Sequence, residues 1–118
     1  MSGDPTINRE CFWTDRWMGS RAFLLPLEPR GLYREMLTAA WFRGAELPND
    51  PDQIRRLILV TEAEWDRTWA RIAPYWREEH DRLINPQQQR IYRDAQARHA
   101  HLSALGAAGA RKRWRSGR

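Results

Sequence analysis

A mainly helical domain with one small β-hairpin is the fold class this sequence predicts, on three observations. Apolar residues recur at helical spacing in four separate stretches, a proline or a capping signal opens each of those stretches, and one short segment alternates instead. With 118 residues the chain supplies one hydrophobic core and is too short for two.

The elements follow in order. Residues 1–11 carry no periodicity and are expected as a flexible N-terminal arm, and Phe12, Trp13 and Trp17 around Thr14-Asp15-Arg16 are expected to pack on the flank of the domain. Pro29 suits a first helical position. From Tyr33 the apolar residues Tyr33, Met36, Leu37, Ala40 and Trp41 keep helical spacing and Gly44 stops them, which predicts a first helix over 29–43. Glu46-Leu47-Pro48 allows one or two extended residues, with Leu47 inward. Asp50 as N-cap and Pro51 behind it open a second helix burying Ile54, Leu57 and Ile58. Thr61-Glu62-Ala63-Glu64 is a capping box, so a third helix starts at Glu62, with Trp65, Trp69, Ile72 and Ala73 on its apolar face and Pro74 at its end.

Beyond Pro74, Tyr75-Trp76-Arg77-Glu78 and Arg82-Leu83-Ile84-Asn85 flank a polar turn, which reads as a hairpin. Asn85-Pro86 caps a fourth helix through Ile91, Tyr92, Ala95, Arg98 and Leu102, expected to fray near Gly106. Residues 106–118 then read as a basic, Arg-rich tail too poor in apolar side chains to order itself, leaving 12–105 as the folded domain. Helix, extended segment, two helices, hairpin, helix is the layout of a winged helix: a three-helix core with the hairpin as wing, here with an added C-terminal helix.

Charge is distributed unevenly. Residues 1–110 hold fifteen Arg against fifteen Asp plus Glu, so the net charge of +5 comes wholly from Arg111, Lys112, Arg113, Arg115 and Arg118. A neutral body with a cationic extremity is equipped for sequence-independent attraction to phosphates. Cys11 stands alone, which excludes an internal disulfide and a cysteine-based zinc site. No apolar run approaches a membrane span and no export signal opens the chain, so a soluble cytoplasmic protein is expected.

From Trp13 to Trp114 the sequence resembles the DUF1376 family of phage and prophage proteins. The resemblance rests on the order of several pieces: Trp13-Thr14-Asp15-Arg16-Trp17; Glu28, Gly31, Tyr33 and Leu37 at their spacing in the first helix; Trp41, Gly44, Leu47, Pro48 and Asp50 through the following turn; Trp65; Asn85-Pro86; and the small-residue, basic stretch from Gly106 to Trp114. It implies a winged-helix-like domain acting in phage or plasmid replication or its regulation, and no enzyme activity. The hairpin turn, Glu79-His80-Asp81-Arg82, departs from the family in lacking glycine.

Duplex DNA is the expected partner, with a phage or host protein docking on a Trp-rich surface as the rival. Arg55 and Arg56 on the second helix and Arg77 and Arg82 in the hairpin are the expected phosphate contacts of the body. Arg67 and Arg71 on the third helix either reach DNA or form solvated pairs with Glu64, while Glu62, Glu64 and Asp66 make that helix a poor reader of bases. In the tail Arg111, Lys112, Arg113 and Arg115 surround Trp114, cations for phosphates around a ring able to stack or wedge. Trp41, Trp65, Trp69 and Tyr33 are expected in the core, whereas Trp17 and Trp76 are open to a partner protein or a second copy. A homodimer through the fourth helix is a further expectation, on a thin apolar stripe of Ile91, Tyr92, Ala95 and Leu102. His99 and His101 stand roughly 200° apart on that helix and cannot chelate one ion, and His80 is isolated. No Gly-rich phosphate loop, nucleophile elbow or paired-carboxylate motif is present, so neither an enzyme nor a cofactor is expected.

Overall fold

Pro26, extended at φ −54° and ψ 157°, turns the chain into helix α1, Leu27–Trp41. The computed structural model describes residues 21–116; the expected arm at 1–11 and the aromatic cluster of Phe12, Trp13 and Trp17 lie outside the described residues. Helix α1 starts two residues before the predicted position. Pro29 falls in its first turn, where a backbone N–H has no intrahelical acceptor and its loss costs nothing. Ahead of it, Arg21–Leu24 makes a single 3-10 turn that periodicity gave no sign of.

The remaining elements are β1 (Leu47–Pro48), α2 (Pro51–Ile58), α3 (Glu62–Ile72), a second 3-10 turn over Ala73–Tyr75 that takes Ala73 and Pro74 out of the third helix, β2 (Arg77–Glu79), β3 (Arg82–Ile84) and α4 (Pro86–Ser116). Two caps form as their sequences demand. Asp50 accepts a hydrogen bond from the Asp52 N–H at 3.0 Å, and Thr61 accepts from the Glu64 N–H at 3.1 Å while its own N–H donates to the Glu64 carboxylate at 2.9 Å. That second bond, made to the ionised form, holds the Glu64 carboxyl below the usual carboxylate range. Leu59 closes α2 in the left-handed region at φ 57°.

The sheet has strand order β1-β3-β2, antiparallel throughout, so the hairpin's second strand is central. Its two-residue turn places His80 at φ 52° and Asp81 at φ 59°. Two consecutive positive φ values define the turn whose twist matches a hairpin. Asp and His are among the non-glycine residues that tolerate that region best, so the missing glycine does not prevent closure.

Met36, Ala40, Leu47, Ile54 and Ile72 are at most 1% exposed and form the centre of the core between α1, α2, α3 and β1. Trp65 belongs to the same core, and Trp69 stacks on it with ring centroids 4.8 Å apart. Thr68 is also buried on this face of α3; its hydroxyl donates to the Glu64 carbonyl at 2.6 Å. Trp76, expected to be open to a partner, is 7% exposed and lies edge-on to Tyr33 in the core. A second cluster joins Trp41 and Ala45 to Tyr92 of α4, with Ile91 and Ala95 packed beside them.

Helix α4 does not fray at Gly106. It runs on to Ser116, so residues 106–116 continue the helix rather than forming a separate unstructured tail. The apolar content there is low, but Ala104, Leu105, Ala107, Ala108, Ala110, Arg111, Lys112 and Arg113 are all strong helix formers. Intrinsic propensity and continuity with an existing helix remove the nucleation cost that would leave this segment unstructured by itself.

Candidate nucleic-acid interface

Four of the six body arginines expected to meet phosphates already face carboxylates. On α2 Arg55 pairs with Asp52 one turn back. On α3 the guanidinium of Arg67 reaches across to α1, with Nε 3.0 Å and an outer nitrogen 3.4 Å from the two oxygens of Glu28. Its hydrogen-bonded partner is therefore Glu28, 39 residues away, rather than Glu64 on its own helix. In the hairpin Arg77 meets Glu79 at 3.0 Å, and Arg82 lies 3.8 Å from Glu46. Exposed pairs of this kind contribute about 0–1 kcal/mol each, so an incoming phosphate displaces the carboxylate at little cost.

Arg56 and Arg71 are exposed and have no acidic partner among the described residues. Helix α3 presents Glu62, Glu64 and Asp66 to solvent in its first turns, so its N-terminal end is negatively charged.

The fold gathers Arg56 and Arg82 in one place, together with an arginine the sequence reading passed over. A cleft of about 350 Å³ is lined by Arg43, Pro48, Gln53, Arg56, Leu57 and Arg82. Arg43 follows the last turn of α1, where its guanidinium donates to the Ala39 carbonyl at 2.9 Å. Pro48 pairs with Arg82 across the β1–β3 register, and Asp50 starts α2 immediately afterwards, which carries Gln53, Arg56 and Leu57 to the same side. Leu57, expected inside, is 37% exposed and walls this cleft. In sequence Arg43 marks only the end of a helix, and its position just before the Gly44 turn is the one signal that sets it apart. Arg55, Arg67, Arg71 and Arg77 do not line the cleft.

The remaining expected residues ride on α4. Arg111 and Lys112 are exposed; Arg113, Trp114 and Arg115 follow in the same helix, and their side-chain placement lies outside the described residues. At 100° per residue, Arg90, Arg93, Arg111 and Arg115 fall within one sector about 60° wide, opposite the sector of Gln88, Tyr92 and Ala95 that meets the body. The 18 residues from Arg93 to Arg111 correspond to about 27 Å along the axis.

Asn85 and Gln88 fix how α4 leaves the body. Asn85, 4% exposed, donates through Nδ2 to the Tyr33 hydroxyl at 2.9 Å and the Tyr75 carbonyl at 3.0 Å, and its Oδ1 accepts from the Gln88 N–H at 3.0 Å. Gln88 in turn donates to the Leu37 carbonyl. Burial pushes the Tyr33 phenol above its ordinary pKa, with the Asn85 bond acting against that rise and nearby Tyr75 adding to it. Among the described residues the tryptophans offer little to a docking protein: Trp41, Trp65 and Trp76 are buried and Trp69 is half-buried, while Trp13, Trp17 and the side chain of Trp114 lie outside the described residues.

Comparison with known protein families, curated proteins and solved structures finds no match for this chain. No helix among the described residues is long and apolar enough to cross a membrane.

Proposed function

We propose that this chain is a winged-helix DNA-binding protein of a phage or mobile element, acting in replication initiation or transcriptional regulation. The observation that carries the proposal is electrostatic: a charge-balanced stretch over residues 1–110 continues into the last turns of a helix that hold four of the five excess cations, with Arg111 and Lys112 exposed. The element order and the strand order β1-β3-β2 support the winged-helix part. In this reading the end of α4 supplies affinity through Arg111, Lys112, Arg113 and Arg115, and Trp114 stacks or wedges beside them. Arg56 and Arg71 add unpaired contacts, and Arg55, Arg67, Arg77 and Arg82 exchange a carboxylate for a phosphate. The acidic start of α3 argues for contacts dominated by phosphates over base reading through that helix.

Fluorescence anisotropy with duplex, single-stranded and RNA probes, repeated across a salt series, tests the proposal. Binding is strongest to duplex and weakens steeply with salt. Replacing Arg111, Lys112, Arg113 and Arg115 together by Gln reduces the slope of log K against log salt by roughly 3 to 4. Absence of binding at low salt, or a slope unaffected by the four replacements, refutes it.

A further inference from the structure

We infer that the cleft lined by Arg43, Arg56 and Arg82 is a binding site for one backbone phosphate of the nucleic acid with its attached sugar. The inference rests on the proposed function and adds to it a specific position on the body, remote in sequence from the cationic end of α4.

Three arginines line one opening of about 350 Å³. Like charges gathered this way repel unless a counter-charge sits among them, and the protein supplies little of it. Glu46 lies 3.8 Å from Arg82, at the outer limit of an ion pair, and both are substantially exposed. Asp50, the other carboxylate beside the cleft, is engaged as a cap, accepting from the Asp52 N–H at 3.0 Å and from Gln53 Nε2 at 3.2 Å. Asp52 is taken up by Arg55. Arg43 and Arg56 therefore have no ion-pair partner among the described residues, and Asp50, which keeps its charge while capping α2, is the nearby carboxylate left to offset them at a distance.

Guanidinium groups favour an oxyanion. They present donors in a rigid fork that matches phosphate oxygens two at a time. Pro48 and Leu57 give the cleft an apolar wall, which suits the carbon edge of a sugar and would be wasted on a bare ion. The volume stands at the lower end of the roughly 300–1,000 Å³ typical of ligand sites, enough for a phosphate and its sugar. The frame is stiff. Arg82 lies on the central strand, and Arg43 is held back along α1 by its bond to the Ala39 carbonyl.

The test is the salt dependence of duplex binding by Arg43→Gln/Arg56→Gln in the full chain, beside the four-residue α4 replacement. Arg43→Lys/Arg56→Lys serves as a charge-retaining control, and thermal melts report folding. The Gln pair is expected to weaken binding by a similar factor for unrelated sequences and to lower the salt slope by about 1, the share of one phosphate, additively with the α4 variant, while the Lys pair keeps the wild-type slope. A parallel titration of arginine Nε–H resonances with the duplex and with inorganic phosphate separates the possible occupants. Shifts at Arg43 and Arg56 saturating with duplex support the inference, and saturation by inorganic phosphate with the duplex slope unchanged overturns it. Duplex binding that depends on α4 but is unaffected by the Gln pair overturns the cleft assignment alone. Failure of the wild-type chain to bind any nucleic acid overturns it together with the proposed function.

Discussion

Asn85 is the residue whose loss should most directly uncouple α4 from the body. Its side chain makes three hydrogen bonds from a site 4% exposed: to the Tyr33 hydroxyl, to the Tyr75 carbonyl and from the Gln88 N–H. Asn85→Ala removes a helix cap, which costs about 1 kcal/mol. It also leaves the Tyr33 hydroxyl and the Tyr75 carbonyl without that partner, at about 1 kcal/mol each, the lower end of the cost of a lost buried hydrogen bond. The sum is about 3 kcal/mol, a large share of the 5–15 kcal/mol typical of a domain. Asn85→Ser keeps a capping oxygen and loses the amide, so it should recover about 1 kcal/mol relative to Ala. Urea unfolding followed by tryptophan fluorescence and by helical circular dichroism gives both numbers. If Asn85→Ala unfolds within 1 kcal/mol of wild type, or Ser is no more stable than Ala, the hydrogen bonds at this junction do not hold α4 as described.

Three further outcomes are expected. The raised Tyr33 phenol favours the protonated form in the fold, so its contribution is fully present below the unfolded value of about 10 and is lost as pH rises through the higher folded value; Tyr33→Phe should flatten the alkaline end of the stability profile, and absorbance at 295 nm should show Tyr33 titrating late. The Glu64 carboxyl, held low by its bond from the Thr61 N–H, contributes above its unfolded value and is lost as pH falls through the lower folded value; carbon-detected NMR titration should place it below ordinary glutamates, and Glu64→Gln should weaken the acid dependence of unfolding. Gly106 has nothing within 4 Å of where a Cβ would stand, so Gly106→Ala should stabilise the outer half of α4 by up to about 1 kcal/mol, read as slower amide exchange beyond residue 100.

Legibility followed the range of the interactions. Asp50 and Thr61 cap their helices through backbone groups two or three residues away, and Leu47 is fully buried on its short strand as its setting between Glu46 and Pro48 suggested. Contacts between distant segments were not legible. The Arg67–Glu28 pair spans 39 residues, and the Asn85–Tyr33 bond spans 52. The cleft arginines come from the end of α1, from α2 and from β3, and no spacing rule connects Arg43, Arg56 and Arg82. Trp76 was ambiguous because strand alternation gives one buried face without saying which, and Tyr33 decides it by lying edge-on at 6.3 Å. Past Gly106 the low apolar content and the alanine propensity point in opposite directions, and continuity with the helix already formed decides for propensity.

That extension changes what the cationic end is able to do. An unstructured tail brings its charges to a polyanion from any direction and surrenders chain entropy when it binds. A continuous helix instead holds Arg90 and Arg93 at one end of a sector and Arg111 and Arg115 at the other, at spacings set by 1.5 Å per residue. The direction of that rod is set at its origin by Asn85, by Gln88 reaching the Leu37 carbonyl, and by Tyr92 edge-on to Trp41 at 5.0 Å. A perturbation at Asn85 should therefore reach the binding of nucleic acid without touching a cation. Asn85→Ser, folded but with a looser junction, should keep the salt slope of wild type, because the number of phosphates neutralised is unchanged, and lose affinity at every salt concentration as α4 and the body cease to be held in one geometry.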